Sequence, residues 1–273
     1  MNRRAFVLHE MGHSPLWLRR GHTLAPTDSV RDSTPAPAAP SVIETAAEAP
    51  SAINITSAAT ASPAPTMPPP ALLEPAAPTS GADSPALPAH GDWQALQRCV
   101  ADCQRCALAA TRQQVVVGRG STQARVLIVG EAPGEQEDKQ GLPFVGKAGQ
   151  LLENMLAAAG IDSQQDVYIC NVIKCRPPGN RNPAPDEIAH CHDYLRWQID
   201  SLQPEMIVAL GRFAAHTLLQ TQAPISSLRR QVHQAYGKPL LVTFHPAYLL
   251  RSPAEKAKAW QDWSHVARLL PAR

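Results

Sequence analysis

Four short apolar runs, each followed by a stretch long enough for a helix, do most to limit the folds open to this chain. The first, Val126-Leu127-Ile128-Val129, contains no polar residue. A strand of that composition must be covered on both faces, as in parallel sheets flanked by helices. Strands are predicted at 125–130, 167–174, 206–210 and 240–244. Helices are predicted at 93–110, 149–159, 185–202, 211–219 and 254–270. Gly160 stops the second helix, and Pro183, Pro185 and Asp186 start the third. Strands alternating with helices imply parallel pairing and right-handed crossovers. The expected fold is α/β, a three-layer α/β/α sandwich around a central four-stranded parallel sheet.

The N-terminal third follows another pattern. Of the 27 prolines in the 273 residues, 14 fall within 26–90, among Ala, Ser and Thr and without aromatics. Such a segment cannot bury enough apolar surface to offset its ordering entropy, so 26–90 is expected to be a disordered linker and 91–273 the folded domain. Ahead of the linker, Phe6, Val7, Leu8 and Met11 form an apolar turn and a half, followed by Trp17 and Leu18. This stub at 1–25 suits a docking peptide. It resembles the N-terminal peptide of the psi subunit of bacterial DNA polymerase III, which implies a clamp-loader component as partner.

The formal net charge is only +2, but Glu44, Glu48, Glu74 and Asp83 lie in the linker. The folded part is therefore more basic, which suits a polyanion. No run approaches the length of a membrane span, and no apolar core follows Arg3 and Arg4 to make an export signal. A cytoplasmic location and reduced thiols are expected.

Of the six cysteines, Cys103 and Cys106 form a C-x2-C pair and Cys175 and Cys191 a wider C-x15-C pair. Four thiolates suit zinc or an iron–sulfur cluster. A zinc ribbon would usually show two short knuckles, so the wide second pair leans toward a cluster. Cys99 and Cys170 lie off the pattern, and Cys99, one helical turn before Cys103, is the one plausible substitute ligand.

In open parallel sheets the site lies beyond the carboxyl ends of the strands. That rule selects 130–134, 171–176 and 245–250. Gly130-Glu131-Ala132-Pro133-Gly134 lets a ligand approach the backbone closely. Phe144, in the Gly141–Gly146 loop, is either core or a stacking surface for a planar ligand. Asn171 ends an apolar run, where its amide either caps a turn or reads the edge of a nucleobase. His245 precedes Pro246 at a strand end, where an imidazole can stabilise developing negative charge.

Taken together, Gly130–Gly134, Gly141–Gly146, Lys174-Cys175-Arg176-Pro177-Pro178 and His245-Pro246-Ala247 resemble the family 4 uracil-DNA glycosylases, [4Fe–4S]-containing repair enzymes of bacteria and archaea. The resemblance spans about 99–270. It implies uracil-containing DNA as substrate, base flipping, a bacterial, nucleoid-associated monomer, and cluster ligands Cys103, Cys106, Cys175 and Cys191. It implies that Phe144 stacks on uracil and Asn171 reads its Watson–Crick edge. His245 would bond O2 and stabilise the leaving anion, while the backbone at Glu131 and Ala132 contacts base and sugar. Glu137 would position water or exclude the methyl of thymine. Ala132 stands where family 1 enzymes have a catalytic Asp, which implies catalysis through the leaving group. Lys174, Arg176, Arg181 and Arg251 are expected phosphate contacts, and Leu249 or Leu250 a wedge into the vacated stack. A non-catalytic DNA-replication accessory protein and an iron–sulfur electron carrier are the alternatives.

Overall fold

The structure, a computed structural model, describes residues 86–270. The expected docking peptide at 1–25 and nearly all of the linker at 26–90 lie outside the described residues. The last linker residues already belong to the domain. Trp197 Nε1 donates to the Pro88 carbonyl at 2.8 Å, and the His90 ring stacks on Trp197 at 5.7 Å.

In chain order the elements are α1 (Trp93–Ala101), β1 (Arg119–Gly120), β2 (Val126–Gly130), α2 (Glu135–Gln140), α3 (Lys147–Ala159), β3 (Val167–Asn171) and α4 (Pro185–Leu202). There follow β4 (Met206–Leu210), α5 (Gly211–Leu219), α6 (Ile225–Leu228), β5 (His233–Ala235), β6 (Lys238–Thr243), α7 (Pro246–Arg251) and α8 (Lys256–Leu269). The sheet order is β1-β3-β2-β4-β6-β5. The inner four strands are parallel, and β1 and β5 pair antiparallel at the edges.

Alternate strand residues serve two cores. Val126 and Ile128 face α3 and α8, packing with Leu152, Met155 and Trp263. Leu127 and Val129 face α4 and α5, packing with Leu195, Ile199 and Leu218. All of these are essentially inaccessible to solvent, which is why the strand has no polar face to show.

Several expectations need correction. The sheet has six strands rather than four, because β1 and β5 are too short to carry an apolar pattern. The helix expected over 93–110 ends at Ala101, and a separate 3₁₀ turn covers Ala107–Ala110. The strand expected to reach 174 ends at Asn171, where its parallel neighbour β2 also ends. A short helix not expected from the sequence, α2, follows Gly134 and carries Glu135, Glu137 and Asp138 in its first turn, where carboxylates complement the helix dipole.

Candidate active site

The parallel strands end level with one another. Their register sets Gly130 beside Asn171 and Leu210 beside Thr243. The loops leaving these ends enclose a cavity of about 730 Å³, bordered by Ala132, Glu137, Phe144, Asn171, Arg212 and His245. It lies where the strand order reverses, β2 leading to β3 on one side and β4 to β6 on the other.

Phe144 has φ +55°, a region that bulky residues rarely occupy. Its surroundings hold it there. Arg119 Nε donates to the Pro143 carbonyl at 2.8 Å, and Glu137 Oε1 accepts from the amides of Val145 and Gly146 at 3.0 and 3.2 Å. Gly149 lies against the Phe144 carbonyl, where any side chain would collide. The ring is thereby fixed beside His245, with centroids 5.5 Å apart.

Asn171 is 2% exposed, and its Oδ1 has no hydrogen-bond partner among the described residues. A buried acceptor left open is costly unless a ligand completes it. Gly130 makes room for it. A Cβ there would come within 2.8 Å of Phe144 Cζ and closer still to Asn171 Oδ1.

His245 caps α7, its Nδ1 accepting from the Ala247 amide at 3.2 Å. That bond places the ring proton on Nε2. Burial, with the Arg251 charge adding to it, pushes the imidazole down to about 4, so the ring is neutral at physiological pH. Gly211, at φ +85°, lies beneath it, where a Cβ would come within 3.0 Å of His245 Cβ. Glu131 is half-buried on the rim. Burial raises its carboxyl above the usual range, and Arg212 partly offsets this.

Cys103, Cys106, Cys175 and Cys191 line one recess on the far side of the β3–α4 connection. Arg112 Nη1 donates to Cys175 Sγ and the Lys174 amide to Cys191 Sγ, each at 3.3 Å. Burial pushes the Cys191 thiol up to about 12 and raises Cys175 and Cys106 too, so a bound cation would displace their protons. Among the described residues no three Cys, His, Asp or Glu side chains are grouped to hold a single metal ion. Four cysteine thiols lining one recess are a donor set that suits a thiolate-bound group. Cys170 lies in the core, and Cys99, on α1 itself, packs against the cluster of Leu96 and Val100, outside the recess.

The basic residues divide. Lys174 is fully buried, its Nζ donating to the Asn171 carbonyl and Gln198 Oε1 at 2.6 Å each, so the expected phosphate contact is corrected: the ammonium cannot reach DNA. Arg176 is half-buried, its Nε bonded to Asn180 Oδ1 at 2.8 Å. Arg181 forms a two-pronged pair with Glu187. Arg251 and Arg212 are exposed on the cavity rim. Sequence reasoning passed over Arg212 as a site residue, although its place just after a parallel strand marked it. Leu249 is core, whereas Leu250 is exposed.

A family model for the uracil-DNA glycosylase superfamily matches residues 117–264, and the chain belongs to that superfamily. Within it, a Type-4 uracil-DNA glycosylase of Thermotoga maritima is 45% identical over 161 residues, covering 58% of this chain and 83% of that protein. A Type-4 uracil-DNA glycosylase of Archaeoglobus fulgidus is 41% identical over 180 residues, covering 63% and 90%. A Type-5 uracil-DNA glycosylase of Pyrobaculum aerophilum is 31% identical over 146 residues, covering 48% and 64%.

Proposed function

We propose that this protein hydrolyses the N-glycosidic bond of deoxyuridine in DNA, releasing uracil and leaving an abasic site. The buried Oδ1 of Asn171, without a hydrogen-bond partner among the described residues and set beside Phe144 in the strand-end cavity, carries this reading. An extruded uracil stacks on the Phe144 face. Its N3–H donates to Asn171 Oδ1, and its O4 accepts from the same amide's NH₂. Cytosine has no proton at N3 and presents a donor in place of O4, so the amide rejects it.

The Nε2–H of His245 donates to O2. As the bond from C1′ to N1 breaks, its electron pair leaves with uracil, and the negative charge shared by N1 and O2 meets that donor. One such hydrogen bond contributes about 3–4 kcal/mol to the transition state. Water then attacks C1′ and its proton passes to solvent or the departing base. Ala132 offers no base, so catalysis rests on the leaving group. Glu137 acts chiefly by holding the Phe144 loop, and its Oε2 stays on the side of Gly134.

The thiols of Cys103, Cys106, Cys175 and Cys191 would hold a [4Fe–4S] cluster, which when bound fastens the connection from Cys175 to Cys191 beside the cavity. Arg176, Arg212 and Arg251 would face phosphates, with Leu250 as the wedge. The stub at 1–25 is proposed to dock on a clamp-loader component. No described helix is long and apolar enough to cross a membrane.

The deciding experiment incubates the full chain with a uracil-containing oligonucleotide and assays alkali-labile abasic sites. Strand breaks at uracil support the enzyme. Tight DNA binding without breaks would favour the accessory protein instead.

A further inference from the structure

Lys174 has no part in the chemistry above, yet its surroundings are unusual. It is fully buried. Its Nζ donates to the Asn171 carbonyl and to Gln198 Oε1, and it hydrogen-bonds the Cys170 thiol. Gln198 is equally buried and is held in turn by its Nε2 donating to the Val117 carbonyl at 2.9 Å. Every one of these partners is neutral. An ammonium buried among neutral groups is strongly disfavoured, and interior cations are found beside an anion.

The thiol recess supplies one. Lys174 lines it: its main-chain amide donates to Cys191 Sγ, and its side-chain charge lies close enough to favour the thiolate of Cys191. Four thiolates around an iron–sulfur core leave the whole group negative, and reduction adds a further negative charge. Arg112 also reaches the recess, but its other guanidinium bond goes to the Ala101 carbonyl, away from the cavity. Lys174 alone of the two touches both places: the recess on one side, and on the other the main chain of the residue whose amide faces the base.

We propose that Lys174 is a positioning residue, the buried counter-cation of the thiolate-held group, and that its bond to the Asn171 carbonyl makes the setting of the base-reading amide depend on that group being in place. This inference rests on the iron–sulfur reading above. With the group bound, the ammonium is held between its negative charge and the Asn171 carbonyl. Without it, the cation lacks an anion, and the segment from Asn171 to Cys175 loosens toward water.

The test uses the full chain carrying Lys174→Met, which keeps the bulk and removes the charge. Iron and sulfide content, release of iron to a chelator, midpoint potential by voltammetry and kinetics on a uracil oligonucleotide are compared with the unaltered chain. Iron is expected to leave about 10–100-fold faster, the size of effect usual for groups that support metal ligands. The midpoint potential is expected to fall, because the added electron loses a nearby positive charge, and KM should rise more than kcat falls. Unchanged potential, chelator rate and KM would overturn the proposal, since a lysine that only fills space is replaced by methionine without moving them. Should Lys174→Met fail to fold, Gln198→Glu decides: a carboxylate at that position neutralises the ammonium locally and should also lower the potential, and an unmoved potential overturns the proposal. An unaltered chain that excises uracil but binds zinc, or no metal, overturns the iron–sulfur reading itself.

Discussion

Phe144 and His245 stand with ring centroids 5.5 Å apart and planes inclined by 30°. The two rings are in contact with each other, so no base fits between them. In the function proposed above, the base would cover the Phe144 face and meet His245 at its edge, which would separate binding from leaving-group chemistry.

Phe144→Ala should therefore act mainly on binding. Loss of a stacking ring costs about 1–3 kcal/mol. KM for a uracil oligonucleotide should rise roughly in that proportion, with a smaller fall in the single-turnover rate. A rate that collapses while KM holds would place the ring in the chemical step.

His245→Ala should do the reverse. Removing the donor to O2 should lower the single-turnover rate by about 10²–10³-fold, while binding of uracil-containing DNA, read by fluorescence anisotropy, changes little. Undiminished excision would reject the role given to the imidazole.

The protonation of His245 can be followed directly. Its imidazole is pushed down to about 4 from an ordinary value of 6.5. A group whose folded value lies below its unfolded one stabilises the fold in its neutral form. That contribution is complete above about pH 6.5 and is lost as the pH falls from there toward about 4, on the order of 3 kcal/mol in all. Nitrogen-15 NMR should show a neutral ring with its proton on Nε2 at pH 7 and a midpoint near 4. A midpoint near 6.5 would contradict the buried arrangement.

Much of this site was legible because parallel strands announce both themselves and their ends. A run such as Val126–Val129 has to be buried on two faces, and the rule for strand ends then selects Gly130, Asn171 and His245. What the sequence hid depended on neighbours far along the chain. Lys174 looks like a phosphate contact until β3 is seen to end at Asn171, which turns the lysine inward toward Gln198. Glu137 looks like a reacting carboxylate, and only the folded loop shows its Oε1 committed to the amides of Val145 and Gly146. The edge strands β1 and β5 have no apolar alternation because each is made by pairing, and the β5–β6 turn uses Tyr236 and Gly237 at positive φ.

Gly130→Ala tests the packing of the Asn171 amide. The new methyl would press on Phe144 Cζ and Asn171 Oδ1. Overpacking of this kind costs about 1–3 kcal/mol. Here the cost should fall on the cavity, with a loss of kcat/KM larger than the loss of thermal stability. Full activity would mean that the amide and ring are not held over the strand end.

The strand end that carries His245 is braced from behind. Arg229 donates to both oxygens of Asp262 at 2.7 and 3.0 Å, and Thr243 Oγ1 donates to the same carboxylate at 2.7 Å. The pair is almost wholly buried, with the guanidinium carbon 4.3 Å from the centre of the Phe244 ring. This ties α8 to the end of β6, two residues before His245. Arg229→Met strands a carboxylate in the interior and should cost about 3–5 kcal/mol in urea unfolding, whereas replacing both partners by apolar residues should recover most of that loss. The double variant Arg229→Met with Asp262→Leu should therefore be more stable than the single one. If it is instead less stable, the pair contributes net stability beyond its own desolvation, and the bracing depends on the charges themselves.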